Sequence, residues 1–278
     1  MTARSPFHLE VASATDSGMV RRFNEDSITT DSDLGLLVLA DGMGGYKAGD
    51  VASSIATGLV TDYLKRMLND MAPSPIQSAK LSRESMAVKL AVEKTNLAIY
   101  KTAQTDSKYA GMGTTIVLIL FHHGLATIAH VGDSRLYRLR QGQLELLTHD
   151  HSLLQDQMEQ GMISSDEAKL SHNRNLVSRA LGVEATIQVD VCEHNVQAND
   201  IYLLCSDGLN DMVDDADIEL AISELRSNLP LAASQLILMA NDNGGHDNVS
   251  VLITQVRNGE IVKRSLMSKL YDWMKSLG

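Results

Sequence analysis

Residues Leu34 to Asp50 read LGLLVLADGMGGYKAGD. An apolar run of strand length stops at Asp41, and a glycine-rich turn follows at once. Helical spacing begins directly behind it: Val51, Ile55, Leu59, Tyr63 and Met67 recur four apart from Asp50 to Met67. A Walker-type phosphate loop needs Gly, four residues and then Gly-Lys-Ser/Thr. Here Tyr46 separates Gly45 from Lys47, and Ala48 follows the lysine. The dinucleotide pattern GxGxxG fails too, because Gly42-Met43-Gly44 leads to Lys47 where the third glycine belongs. What remains is a turn whose glycines let backbone, including a carbonyl, approach an ion closely.

The same punctuation recurs along the chain. LATIAHV ends in Gly132-Asp133, IYLLCS ends in Asp207-Gly208, and Gly244-Gly245-His246-Asp247-Asn248 immediately precedes VSVLITQV. A further acidic cluster, Asn24-Glu25-Asp26, follows the first apolar segment. Any one Asp beside Gly at a strand end reads as a turn. Several ionised carboxylates gathered at buried strand ends would repel one another unless hard cations such as Mg²⁺ or Mn²⁺ offset their charge. From the residues alone, a set of turns and a shared metal site both stand.

Around these points the chain alternates strand blocks with helix pairs. Strand-like segments are Phe7–Thr15, Leu34–Ala40, Thr114–Phe121, Gly124–Gly132, Ser134–Arg140, Thr186–His194, Ile201–Ser206 and Asn248–Val256, each short and bounded by Gly, Asn or Asp. Arg140-Gln141-Gly142-Gln143 suggests a hairpin turn into Leu144-Glu-Leu-Leu-Thr148. Helical patterns cover Asp50–Met67, Ser85–Ala103, Asp214–Leu225 and Leu231–Ala240. Strands and helices come in clusters without a βαβα rhythm, which predicts an α+β arrangement of largely antiparallel sheets flanked by helices. A Pro/Ser loop, Ala72–Ser78, joins the first two helices, and Leu153–Arg179 lacks strong periodicity and reads as a surface subdomain.

Composition narrows the classes. The 278 residues are 44% apolar, enough for a sizeable core in one domain. Lys plus Arg is 24 and Asp plus Glu is 35, so the formal net charge is 24 − 35 = −11. An acidic surface repels nucleic-acid phosphates and anionic lipid. No apolar run approaches the roughly 18 residues of a membrane helix, and the N-terminus lacks an apolar signal core, so a cytoplasmic protein is expected. Cys192 and Cys205 sit in strand-like runs as small hydrophobes, and no Cys/His spacing resembles a zinc site.

These ordered motifs carry a resemblance. GMVRRFNEDS (Gly18–Ser27), LADGMGGYKAGD (Leu39–Asp50), GMGTT (Gly111–Thr115), HVGDSR (His130–Arg135), THDHS (Thr148–Ser152), RALG (Arg179–Gly182), LCSDGL (Leu204–Leu209) and GGHDNVSV (Gly244–Val251) run through nearly the whole chain. In this order the chain resembles the metal-dependent serine/threonine protein phosphatases of the PPM or PP2C family, most closely the bacterial stand-alone type. The resemblance implies a central β-sandwich of two antiparallel sheets flanked by pairs of α-helices, a four-layer αββα fold. It also implies a dinuclear Mn²⁺ or Mg²⁺ centre that hydrolyses phosphoserine and phosphothreonine by in-line attack of an activated water, opposing a Ser/Thr kinase. Carried over residue by residue, Asp41 would bridge both metals. Asp207 and Asp247 would hold the first metal, and the Gly42 carbonyl the second. Glu25 is a candidate further ligand, and Asp26 would act behind the ligands or on the water they activate. Asp133 would help Asp207 hold a third, weaker ion, and Arg21 would grip the substrate phosphate.

Some positions depart from the family pattern or stay open. Met43 stands where animal relatives carry a His proposed as general acid, and Tyr46 where many bacterial members have His. Leu153–Arg179 aligns with the family's flap beside the active site. His149 and His151 invite either a metal-binding or a hydrogen-bonding role. The expected catalytic domain spans 1–257, and 258–278 forms an amphipathic helical tail with Leu266, Leu270, Trp273, Met274 and Leu277 on one face. That tail could pack on its own domain, a partner chain or a membrane surface. The alternative to an enzyme is a catalytically silent member used as a binding or regulatory module. Retention of Arg21, Asp26, Asp41, Asp133, Asp207 and Asp247 argues against it, since a silent member would be free to lose them.

Overall fold

The computed structural model describes residues 7–44, 48–71, 81–164, 167 and 176–258. Eleven strands and six helices are described. The strands are β1 (Phe7–Asp16), β2 (Asp26–Asp31), β3 (Leu36–Met43), β4 (Gly113–Thr114), β5 (Ile116–His122), β6 (Leu125–Val131), β7 (Arg135–Arg140), β8 (Gln143–Leu146), β9 (Asp190–Asn195), β10 (Ile201–Cys205) and β11 (Val249–Asn258). The helices are α1 (Ala48–Asn69), α2 (Arg83–Ala103), α3 (Leu153–Glu159), α4 (Asp207–Asn210), α5 (Asp215–Leu225) and α6 (Leu229–Asp242).

Two antiparallel sheets result. One runs β1-β11-β10-β7-β8, the other β2-β3-β5-β6-β9, with the short β4 paired to β3. Side-chain alternation explains how they stack. On β3, Leu36, Val38 and Ala40 join a core with α1 and α2, while Leu37 and Leu39 point the other way into a core between the sheets. β5 repeats the division with Ile116, Leu118 and Leu120 on one side and Val117, Ile119 and Phe121 on the other. In the first sheet, Leu203 and Cys205 of β10 face α5 and α6, and Tyr202 and Leu204 face the inter-sheet core. Strands apolar on both faces need cover on both faces, and three stacked cores supply it. Each fully buried Leu or Ile contributes roughly 1.5–3 kcal/mol. The four-layer αββα sandwich expected from the resemblance is therefore present.

Helix starts follow local chemistry. Ser82 caps α2 by accepting from the Ser85 amide at 3.1 Å, and Asn228 caps α6 by accepting from the Leu231 amide at 3.1 Å. Within the expected flap, α3 spans Leu153–Glu159, and Gly161 turns the chain after it at φ +68°. No helix among the described residues is long and apolar enough to cross a membrane. The Ala72–Ser78 loop, Tyr46, most of 165–175 and the 263–278 tail lie outside the described residues.

Candidate metal centre

The sandwich delivers the predicted carboxylates to one end of both sheets. β2 and β3 pair so that Asp26 lies directly opposite Asp41. Like charges in that relation repel. Asp133 sits in the β6–β7 turn and is 7% exposed. Asp207 begins α4 just after β10, and Asp247 precedes β11. Each group feels the others. Burial raises Asp41 well above the usual carboxylate range, and the charges of Asp26, Asp207, Asp133 and Asp247 raise it further. Burial likewise raises Asp207, reinforced by Asp133, Asp211, Asp247 and Asp26. Burial pushes Asp26 up to about 6, against hydrogen bonds from Ser250 and Ser206. It pushes Asp133 up to about 7, with Asp150 adding to it.

Backbone geometry holds this costly cluster in place. The Asp41 amide donates to Thr115 Oγ1 at 3.0 Å, and the Thr115 hydroxyl lies 2.7 Å from Ser134 Oγ, tying β3 to the Asp133 turn. Gly132 adopts φ +107°, and a Cβ there would lie 2.6 Å from the Thr115 side chain. Ser206 Oγ donates to Asp26 Oδ2 at 2.9 Å and accepts from the Ser250 amide at 2.9 Å, joining the two sheets.

Glycine at position 42 has a different reason from the one the turn suggested. Its φ is not positive; a Cβ there would lie 2.2 Å from the Gly49 carbonyl oxygen and 2.6 Å from that of Glu25. Reciprocally, a Cβ on Gly49 would lie 2.7 Å from the Gly42 oxygen and 3.0 Å from Glu25 Cδ. The first turn of α1 thus leaves a recess where the Gly42 carbonyl and the Glu25 carboxyl group meet.

Arg21 lies in the β1–β2 connection and is partly exposed. Its Nη2 donates to Asp247 Oδ2 at 2.6 Å, and that hydrogen bond raises its pKa further above an already high value. Arg21, Glu25, Asp26, Asp41, Gly42, Asp133, Asp207 and Asp247 are thus all brought to the same sheet ends.

Among the described residues, the buried Oδ1 atoms of Asp207 and Asp26 have no hydrogen-bond partner. An unpartnered buried carboxylate oxygen is costly unless a cation or proton satisfies it. Oxygen-only donors with surplus negative charge match Mg²⁺ or Mn²⁺. The residues present therefore fit a divalent-cation centre.

Asn248 escaped the sequence reading. Its Oδ1 accepts from the Glu25 amide at 2.8 Å, while its Nδ2 donates to the carbonyls of Ser17 at 3.0 Å and Phe23 at 2.9 Å. One side chain beside Asp247 thus fixes both ends of the segment that carries Arg21. Asp211 and Asp150, which add to the field on Asp133, also went unnoticed; neither ends an apolar run, so no spacing marked them.

The two histidines take structural roles. His149 pairs with Glu159. His151 accepts from the Gly132 amide at Nδ1, 3.1 Å away, and its amide donates to the Gly132 carbonyl at 3.0 Å. Burial lowers its pKa to about 4, with His130 and Arg179 adding to that. His130, His151 and Asp190 stand close enough to share an ion. However, Arg179 Nη1 already lies 3.0 Å from both His151 Nε2 and Asp190 Oδ1 and supplies the cation.

An αββα sandwich whose sheet ends gather half-buried aspartates and an arginine defines a class: a carboxylate-rich fold fit for divalent cations. The sequence profile described as Protein phosphatase 2C matches residues 19–243. The chain belongs to that family. It is 36% identical over 261 residues to the serine/threonine phosphatase stp of Listeria welshimeri, covering 93% of this chain and 97% of that protein. Among solved structures it resembles the Mycobacterium tuberculosis serine/threonine phosphatase PstP/Ppp, with TM-score 0.78 and 35% identity over 90% of this chain and 99% of that one. The catalytic domain of PstP in complex with two manganese ions gives TM-score 0.77 at the same identity, covering 90% of this chain and 99% of that one.

Proposed function

We propose that the protein is a metal-dependent phosphatase that hydrolyses phosphoserine and phosphothreonine in proteins. The observation that carries this reading is Arg21, held 2.6 Å from Asp247, beside carboxylates whose buried Oδ1 atoms lack partners. In this reading Asp41, Asp207, Asp247 and the Gly42 carbonyl would hold two Mn²⁺ or Mg²⁺ ions. Glu25 stands beside the Gly42 oxygen as a further ligand, and Asp133 with Asp207 would take a weaker third. Bound there, two divalent cations would supply an activated water and charge compensation for in-line attack on phosphorus.

The chain's own groups do the rest. Arg21 spends one donor on Asp247, and its planar fork keeps others for two phosphoryl oxygens. Asp26 has Oδ2 occupied by the Ser206 hydroxyl, so Oδ1, which has no partner among the described residues, would take a proton from the attacking water. Burial pushes the Cys205 thiol up to about 12 and raises Cys192, so neither offers a thiolate for a phosphocysteine route. A Ser/Thr kinase acting on the same proteins in the cytoplasm completes the cycle. The silent-module alternative finds no support, since the relatives that align over most of the chain are named phosphatases.

The test is phosphate release from a phosphothreonine peptide with Mn²⁺, comparing wild type with Asp207→Ala. Turnover that requires Mn²⁺ and disappears in the variant is expected. An inactive wild type, or an equally active variant, would end the reading.

A further inference from the structure

The connection that carries Arg21 also displays three large apolar side chains to water. Met19, Val20 and Phe23 are 70%, 64% and 48% exposed. Single exposed apolar residues are ordinary. Three within five residues, on both sides of the arginine that reaches the carboxylate centre, concentrate exposed apolar area beside it.

That segment is fixed. Gly18 adopts φ +75°, and a Cβ there would lie 2.2 Å from the Asp247 carbonyl oxygen, so the chain lies flat on the turn that presents Asp247. The Gly18 amide donates to Asp16 Oδ1 at 2.9 Å, and the Met19 amide to the Gly245 carbonyl at 2.8 Å. The Asn248 amide group then holds Ser17 and Phe23 from one point. Apolar area on an already ordered segment loses little further conformational freedom when it is covered. Such area is well suited to recognition.

Charge and reach define the occupant. The Arg22 guanidinium lies 5.4 Å from the Phe23 ring centroid, so the margin of the patch is basic in a chain of net charge −11. An extended peptide advances about 3.3–3.6 Å per residue. A peptide whose phosphate reaches Arg21 therefore sets its neighbouring side chains within the span of Met19 to Phe23. Apolar neighbours of the phosphorylated residue therefore meet exposed apolar side chains there.

We propose that Met19, Val20 and Phe23 form a reading edge that binds apolar side chains adjacent to the phosphorylated residue of a peptide substrate. The proposal rests on the phosphatase reading above and adds the substrate preference to it.

The test uses the full chain with Mn²⁺ and three substrates: p-nitrophenyl phosphate, a phosphothreonine peptide with Leu and Val beside the phosphorylated residue, and the same peptide with Gly and Ser there. Wild type should prefer the apolar peptide by about fivefold or more in kcat/KM, mostly through KM. Val20→Ser with Phe23→Ser should remove that preference and leave turnover of p-nitrophenyl phosphate, which has no flanking residues, within about twofold of wild type. Met19→Ser, tested separately because Met19 also covers Gly245, should show the same pattern in part. Equal kcat/KM for the two peptides in wild type, or a preference that survives in the double variant, overturns the proposal while leaving the phosphatase reading standing. Absence of p-nitrophenyl phosphate turnover in wild type overturns both, and so separates the two failures.

Discussion

β10 is five residues long, and an aspartate stands just beyond each of its ends. Asp200 precedes it and Asp207 follows it after one serine. At the first end, Arg140 donates through Nε to Asp200 Oδ1 at 2.8 Å and through Nη2 to Oδ2 at 2.6 Å, and the Gln197 amide adds a bond of 2.8 Å to Oδ2. Both oxygens are satisfied, and Asp200 is 1% exposed. At the other end, Asp207 Oδ1 has no partner among the described residues, and the charges of Asp133, Asp211, Asp247 and Asp26 all bear on it. The same residue type flanks the same strand in opposite electrostatic states. One end is closed for stability; the other leaves a carboxylate oxygen unpaired among the described residues.

The largest effect should come from breaking the open end. Asp207→Asn keeps the shape and removes the charge, and should lower Mn²⁺-dependent turnover by about 10³-fold or more. In chelator the same variant should melt higher than wild type, because a buried, self-repelling carboxylate is gone. Steady-state assays and thermal melts check the two halves. A variant that loses activity and stability together would remove the contrast between the ends.

Next in size is the recess at the start of α1. Gly49→Ala places a methyl 2.7 Å from the Gly42 carbonyl oxygen and 3.0 Å from Glu25 Cδ. Half-saturation by Mn²⁺ should rise by about 10–100-fold, measured by titrating activity against the ion. An unchanged Mn²⁺ titration would remove Gly42 and Glu25 from the ligand set.

The closed end should respond in stability alone. Asp200→Ala strands Arg140, yet the arginine side chain keeps 23% exposure, so the cost falls to about 2–3 kcal/mol, below that of a fully dry pair. Denaturant melts should record that loss while kcat per folded molecule stays at the wild-type value.

What was legible in the chain follows the same division. Strands buried on both faces, such as β5 and β10, are continuous apolar runs and could be placed directly. β2, Asp-Ser-Ile-Thr-Thr-Asp, was not placed, because an edge strand with polar residues carries no alternation to read. The aspartates were legible because each interrupts hydrophobicity at a strand end. Asn248 was hidden beside them: its three bonds join positions more than 220 residues apart, and its neighbour Asp247 had already accounted for the motif. The sequence points to Gly42 for the carbonyl it could bring close to an ion, and the fold adds a second need, the close passage of Gly49.

A further effect is a pH slope in the metal-free protein. Asp26 is raised to about 6 and Asp133 to about 7, both chiefly by burial, whereas the unfolded chain titrates each near 3.8. The folded state therefore holds these protons more tightly than the unfolded state. The stability they contribute is complete below about pH 3.8 and is lost as pH rises through 6 to 7. With chelator present, the melting temperature should fall by roughly 5 °C between pH 5 and pH 8. Saturating Mn²⁺ should flatten that slope, because the ion replaces the protons as the partner of the carboxylates. Asp200→Ala should leave the slope unchanged, since Asp200 stands at the opposite end of β10 from the cluster. A slope that persists at saturating Mn²⁺ would place the titration elsewhere in the chain and break the assignment of charge strain to the open end.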